Sequence, residues 1–520
     1  MTGSSPDWQN WSENINYKPE SPYYFMPKNL AELQAVLAKA KEDDAIVRVS
    51  GQRHSQPPLV ISSNPARTTY LVDMACYADE ATNNQRMLVV SESPPQVIVN
   101  PGVREDELDA FLTNNSLMLK TVTAGGFFSL GGMTAVDVHG GTVNEGIFAE
   151  TVSSFTIIKA DGSQKTIAAS PDIDFARVSL GGIGIVTSMT LEALERQYKD
   201  TLIGSVDFVP WATDEFNEDG FTQTFSALLA QYQQGGRLEV FFNPYAAQLD
   251  KHFLALGWQR NSMPVTPLSP EQPYDTCTSA DGGEGDFGAD YIKDQDLAIG
   301  AAVIAQEAGN SLEAALITGT AMLATKGWAE EANAAFSDLW LTQATRVMFM
   351  SYFIELPTLD AVGLRRAWLG LNKVAELVKG NGQEFYIAAP MEFRFIKGGS
   401  TAMSGTFTSN PGNTYFVNLD LIGFVPGNGA AYSDALLNFF AKVERYWFET
   451  LNGIPHHGKM YGFYDPSLDG ESFSPEPFNP NFLEKLRERR SKFPEFKTFC
   501  KQEDPDGRFY NEYLQLLLGA

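Results

Sequence analysis

The chain has 520 residues, 43% of them hydrophobic and 20% charged, with a formal net charge of -26 and three cysteines. That length exceeds what one core ordinarily supports, so a soluble protein of two or more domains is expected, and the acidic balance, with no Lys/Arg-rich stripe, argues against nucleic acid or anionic membranes as partners. Cys76, Cys277 and Cys500 stand too far apart for a CxxC pair or a disulfide framework, so no metal site is expected.

The opening, MTGSSPDWQNWSENINYKPE, lacks the basic, apolar and small-residue blocks of a signal peptide. No run approaches the ~20 apolar residues of a spanning helix. A soluble protein is expected, cytoplasmic, or secreted if the sequence is a trimmed mature form, and a monomer or small homo-oligomer. PKNLAELQAVLAKAKEDD places Leu30, Leu33, Val36 and Leu37 on one face of a helix. AIVRVSG reads as a strand ending at Gly51, RMLVVS and QVIVNPG as further strands, and REDELDAFLTNNSL as a helix. A glycine-rich block, AGGFFSLGGMTAVDVHGGTVNEG, precedes the strands SFTIIKADG and SQKTIA and a second glycine block, SLGGIGIVTSMTLEAL. The pattern predicts an α+β domain over residues 1–195.

Beyond it, RLEVFFNPY and HFLALGW read as strands, and residues 264–296 as a long irregular loop. Helical stretches are predicted over 297–345 and 360–380, then strands in YIAAPMEFRFIKG and TYFVNLDLIGFVPG, and a helix across AYSDALLNFFAKVERYWFETL. There is no internal repeat. FKTFCKQEDPDGRFYNEY reads as a helix and turn returning to the first domain, which sets the predicted division at 1–195 with a return over 475–520, and 196–474 as a substrate-binding domain.

Glycine turns let backbone N–H groups approach phosphate oxygens without a Cβ clash. Three lie in the first domain, at residues 50–56, 124–132 and 181–184. None is a GxGxxG opening a helix, and there is no GxxxxGK[ST] loop; taken singly, each is only a turn. The first contains one of five histidines, His54, in VRVSGQRHSQPPL. From that stretch alone, His54 could cap a turn, bind a metal, act as a base or serve as a point of attachment.

In their order, PKNLAELQAVLAKAKEDDAIVRVSGQRHS, NPGV before a helix, GGFFSLGGMTAVDVHGGT and GGIGIVTSMTLEA resemble the FAD domain of the vanillyl-alcohol oxidase superfamily. The resemblance implies a two-part FAD-binding domain joined to an α+β substrate domain with a large antiparallel sheet. It implies that Ser50, Gly51, Gln52, Arg53 and Ser55 wrap the FAD pyrophosphate. Gly125, Ser129, Gly131, Gly132 and His139 would border pyrophosphate and isoalloxazine, with His139 hydrogen-bonding backbone, and Gly182, Gly184 and Ile185 would reach the adenine side. It further implies a covalent bond from His54 to the flavin 8α-methyl carbon, which raises the flavin's potential. A second tether would need a cysteine in GGMTAVDVHGG, which has none.

In PMEFRFIKG, strand alternation puts Glu392 and Arg394 on one face and Met391, Phe393 and Phe395 on the other. On an ordinary sheet such a pair is a salt bridge; on a cofactor-facing sheet it is catalytic. NWSENI, GQRHSQPPL, GGRLEVFFNPY, the Glu-x-Arg strand and LDLIGFVPG, in that order, resemble the covalent-flavin (type II) cholesterol oxidases. The resemblance implies that Glu239, Glu392 and Arg394 stand above the flavin, one glutamate taking the hydroxyl proton and Arg394 stabilising charge. Where those oxidases carry an active-site Asn, this chain has Asp420, with Asn418 two residues earlier on the same face. GIPHHGKMYGF resembles the PHWGK motif of sugar-alcohol and aldonolactone oxidases, implying that Lys459, with His457, places positive charge near the reduced flavin. His252 reads as structural. Together the resemblances imply an FAD-dependent alcohol oxidase that passes hydride from a C–OH carbon to flavin N5 and reduces O2 to H2O2. A 3β-hydroxysteroid leads as substrate; the alternatives are a polyol or aldonolactone oxidase, or a dehydrogenase with another acceptor. A flavin-binding protein without turnover would not need Glu392, Arg394 and Lys459.

Overall fold

The structure is a computed structural model. It describes residues 3–19, 21–196, 203–233, 235–245, 249–259, 296–334, 339–341, 346–380, 384–468 and 473–519. The predicted loop lies outside the described residues up to residue 295, as does Cys277.

The helix Leu30–Glu42 starts where Asn29 accepts from Glu32 N at 3.0 Å, a side-chain cap for an otherwise unpaired amide. It buries Leu33, Val36 and Leu37 of the predicted stripe and adds Ala40, while Leu30 at its start is half-buried. The helix leads into Ile46–Val49, which pairs in parallel with Thr69–Val72, itself parallel to Tyr24–Phe25. A five-stranded antiparallel sheet orders Gln164–Ile167, Val152–Ile158, Ile185–Glu192, Pro95–Val99 and Met87–Glu92. These two sheets carry the glycine turns on their connections.

The second half is built on a seven-stranded antiparallel sheet in the order Ile203–Phe208, Phe253–Gln259, Arg237–Phe242, Met391–Lys397, Tyr415–Phe424, Val347–Leu356, Ile454–Pro455. Its two faces differ as alternation demands. Phe393 and Phe395 meet Phe225 of the helix Glu218–Tyr232, with ring centroids 5.4 and 6.4 Å away. That helix in turn packs on Ala361–Lys379, whose Leu364, Ala367, Trp368, Leu371, Val374 and Ala375 are buried at helical spacing. The opposite face carries Glu392, Arg394 and Asp420.

Two predicted helices end differently. The stretch 297–345 divides into Asp296–Glu307 and Ser311–Ala334. Gly309 turns left-handed there (φ 65°), and Asn310 accepts from Leu312 N at 3.0 Å. The helix Asp434–Arg445 widens into one π turn over Tyr446–Thr450. Among the described residues no helix is long and apolar enough to cross a membrane.

One buried side chain joins distant segments. Arg48 donates to the carbonyls of Leu59, Leu180, Gly181 and Phe509 at 2.9, 2.7, 3.0 and 2.5 Å. It thereby fastens the first and third glycine turns to the C-terminal segment, where Val47 N also donates to Arg508 O at 2.8 Å.

Candidate active site

One cavity of about 830 Å³ runs between the glycine turns and the seven-stranded sheet. Ser50, Gly51, Gln52, Arg53, His54 and Ser55 line it from the first turn. Gly125, Ser129, Gly131, Gly132 and His139 do so from the second block, and Gly184 and Ile185 from the third. Gly182 does not; a Cβ there would meet Tyr510 and Leu514, so this residue packs against the C-terminal helix.

The turns fit closely enough to demand their residue types. A Cβ on Gly51 would fall 2.2 Å from Ser129 Oγ, so the first two blocks meet here and a larger residue would have to turn the Ser129 hydroxyl aside. Arg53 takes the left-handed conformation (φ 59°), which costs a non-glycine residue about 1–2 kcal/mol. Its guanidinium lies over Trp8 and Tyr24, 5.6 and 5.7 Å from the ring centroids, contacts that offset the strain. The His54 ring stacks between Trp11 (5.6 Å) and Phe127 (5.1 Å) and meets Phe128 edge-on at 4.7 Å. Burial, with the charges of Lys459 and Arg104, holds its pKa well below the usual imidazole range, so the ring is neutral. Gln56 then ties the turn to the sheet: it donates to Val347 O at 2.7 Å and accepts from Phe349 N at 2.9 Å, and its own N–H donates to Gly458 O at 3.1 Å.

Across the sheet, register sets two rows on the cavity-side face. Phe241, Glu392, Asp420 and Ser351 are successive cross-strand partners, and so are Glu239, Arg394, Asn418 and Phe353. Arg394 Nε donates to Glu392 Oε1 at 2.7 Å, and its Nη1 to His139 O at 3.3 Å. Burial pushes the Glu392 carboxyl up to about 7; Arg394 opposes the rise, and the negative charges of Asp420 and Glu239 add to it. Asp420 is also raised by burial, against Lys459 and a hydrogen bond from Ser351. Burial lowers Lys459, which lies 4.1 Å above the Phe349 ring, while Asp420 and Glu392 counteract the fall. Burial lowers the His139 pKa to about 3, helped by Arg394; its Nδ1 bonds Gly140 O at 3.0 Å, a neutral ring tied to backbone as expected.

Three side chains sit differently from their expected places. Glu239 is fully buried behind Arg394 and does not line the cavity. Arg237 Nε and Trp340 Nε1 donate to it at 2.7 and 2.8 Å, and Arg394 Nη2 lies 3.4 Å away. Burial alone would raise its pKa, but Arg237 and Arg394 outweigh burial and keep it ionised. Asn418 is also behind the wall, where its Nδ2 donates to Ser351 Oγ at 2.9 Å. His457 turns into the core, its N–H on Asp137 Oδ2 at 2.9 Å, and burial with Arg490 keeps its ring neutral, so the second positive charge expected beside Lys459 is not there. His456 lines the cavity instead. His252 packs 3.8 Å from the Phe216 ring, in the core.

Residues the sequence reading passed over complete the walls. Trp11, Gln56's partner Phe349, and Ser351 stand on the sheet side; Ile299, Ala302, Ile317, Ala321, Trp328 and Trp340 come from the helix pair and the segment after it. The adjacent pair His456-His457 was the available signal for one inward histidine. Nothing local marks Ser351.

Residues 21–168 match the family model of an FAD binding domain, and residues 362–517 that of D-arabinono-1,4-lactone oxidase. Cholesterol oxidase from B. sterolicum superposes with a TM-score of 0.73 at 17% identity, covering 99% of this chain and 97% of that one. The two matched segments and the shared fold support a place in the vanillyl-alcohol oxidase superfamily. The first matched segment contains the first two glycine blocks, and the second contains Glu392, Arg394, Asp420 and Lys459. Xylooligosaccharide oxidase from Myceliophthora thermophila C1 shares the fold at a TM-score of 0.54 and 14% identity, covering 97% and 96% of the two chains. L-gulonolactone oxidase from Mus musculus is 28% identical over 204 residues, 38% of this chain and 43% of that protein. D-arabinono-1,4-lactone oxidase from Yarrowia lipolytica is 26% identical over 176 residues, 33% and 32% of the two. The chain thus matches less than half the length of these curated relatives. By name they act on lactones, whereas the likeness to cholesterol oxidase is one of fold.

Proposed function

We propose that the protein is an FAD-dependent oxidoreductase that oxidises a CH–OH group on a hydroxylactone or polyol. The observation that carries this reading is the cluster of Glu392, Arg394, Asp420 and Lys459 facing the same cavity as the glycine turns. The residues fit FAD: two turns that meet at Gly51 and Ser129, a neutral His54, and a cavity continuous with the catalytic face. When bound, FAD accepts the hydride at N5 and passes the electrons to O2, releasing H2O2. The protein's own contribution is proton and charge management. Glu392, with its pKa near neutrality, takes the hydroxyl proton. Arg394, braced by Glu239, and Lys459 hold positive charge where negative charge develops. Asp420 tunes both neighbours, and His54 tethers the cofactor through an imidazole nitrogen. The match over 362–517 and the named lactone oxidases favour a polar cyclic substrate over a sterol.

The apolar wall of Ile299, Ala302, Ile317, Ala321, Trp328 and Trp340 favours a second reading, a bulky apolar alcohol such as a sterol. Peroxide release screened on aldonolactones and polyols against sterols separates the two. The cofactor claim is read from the spectrum: yellow colour that stays with acid-precipitated protein, and becomes acid-extractable in His54→Ala, is the expected result. Colourless protein refutes the scheme.

A further inference from the structure

The segment before the matched FAD-binding region is a short antiparallel hairpin, Trp8–Gln9 paired with Asn16–Tyr17. Its tip is internally braced: Asn10 accepts from Ile15 N at 3.0 Å and donates to Asn14 Oδ1 at 2.7 Å. From that braced tip, four hydrogen bonds reach the flavin turn on both sides of His54. Trp8 Nε1 donates to Ser50 Oγ at 3.0 Å, and Trp11 N to Arg53 O at 2.9 Å. Asn10 Nδ2 donates to Ser55 O at 3.1 Å, and Asn14 Nδ2 to Gln56 O at 3.0 Å. The hairpin is anchored on the sheet side too, where Glu13 pairs with Arg346 at 2.9 Å and its carbonyl accepts from Gly429 N at 2.7 Å. The Trp11 indole lies between His54 and Phe349, stacked on both at an interplanar angle of 28°.

We propose that this hairpin is an orienting clamp for His54, with Trp11 as the positioning residue that holds the imidazole in the orientation from which it bonds to the FAD ring methyl. The inference rests on the reading of His54 as the tether. Attachment forms a bond between an imidazole nitrogen and the 8α-methyl carbon. The imidazole N–H proton and one methyl hydrogen leave as protons, and the two electrons released pass into the flavin ring. Dioxygen then removes them and, with two protons, becomes hydrogen peroxide. The attacking nitrogen must be unprotonated and aimed at one carbon, and alignment of that kind governs the rate. Low imidazole basicity supplies the neutral ring. The stack among Trp11, Phe127 and Phe128 supplies the aim, and one aromatic pair is worth about 0.5–1.5 kcal/mol, or about two- to tenfold in the aligned population.

The test compares Trp11→Phe and Trp11→Leu with the unaltered protein, each produced without flavin in a riboflavin-starved host and then mixed with FAD in air. Two quantities are followed: flavin precipitating with acid-denatured protein, and flavin bound in total. The Leu variant is expected to attach flavin about two- to tenfold more slowly at equal total binding, with the Phe variant close to the original. Equal attachment rates for Leu and the unaltered protein overturn the clamp and leave the tether standing. A Leu variant that melts like the original yet binds no flavin also overturns it, because the indole would then hold cofactor rather than aim the histidine. If acid releases all flavin from the unaltered protein, the tether itself fails, and the clamp with it.

Discussion

Replacing Asp420 by Asn probes how Glu392, the proposed proton acceptor, is tuned. Glu392 and Asp420 are direct cross-strand partners, which places their Cβ atoms about 5 Å apart. A unit charge at that distance is worth about 3 kcal/mol at an effective dielectric constant of 20, equivalent to about two pH units. Asp420 does not exert all of this. Its own pKa is raised by burial, and Lys459 offsets its charge, so an effect of about one pH unit is expected. The sign is fixed: removing a negative neighbour makes Glu392 easier to ionise, so the limb near pH 7 moves to lower pH. Anaerobic stopped-flow bleaching of the flavin band, measured across pH with a reactive substrate, reads that limb directly. Asparagine is nearly isosteric, and the oxygen facing Ser351 remains, so bound flavin should be unchanged. A limb that stays in place, or moves to higher pH, refutes the coupling and with it the assignment of Glu392 as base.

Lys459→Met removes the cation that stands near both carboxylates and is expected to slow flavin reduction about a hundredfold at unchanged flavin content, by the same stopped-flow measurement. Glu444 offers a stability test away from the cavity: its carboxyl accepts from Tyr352 Oη at 2.6 Å and from Gly462 N and Tyr464 N at 2.7 Å each. Burial nevertheless raises its pKa to about 7 from 4.5. Because the folded state holds this proton more tightly than the unfolded chain, the contribution is fully present below pH 4.5 and lost as pH rises through 7. Glu444→Gln should therefore flatten the fall in melting temperature between pH 5 and 8, removing about 3 kcal/mol of pH-dependent stability.

What the sequence made legible follows from period and order. The two-residue period of PMEFRFIKG puts Glu392 and Arg394 on one face without any knowledge of pairing, but the strand is buried on both faces, so which face meets the cavity is set by the sheet and not by the pattern. Glu239 obeys the same period and is still not exposed to the cavity. Trp340, distant in sequence, closes over it, and Arg237, two residues earlier on its own strand, completes its ion pair. His456 and His457 are adjacent yet sit apart in their surroundings: His456 lines the cavity, whereas His457 is held in the core with its backbone N–H on Asp137 Oδ2, a contact no local pattern signals. Gly182 was placed with the cofactor by its position in a glycine run, but in such a run only some residues face the ligand, and this one supports Tyr510 and Leu514. The break at Gly309-Asn310 was hidden because the flanking sequence is helical on both sides.

Arg48 carries a consequence for how the molecule is made. Its guanidinium waits for the Phe509 carbonyl, 461 residues later in the chain. At about 5–20 residues per second, synthesis takes roughly 20–90 s to deliver that carbonyl. Until then the floor beneath the first and third glycine turns has an arginine with incomplete partners. The last contact beneath the flavin turn thus forms only after the seven-stranded sheet beside it has been synthesised.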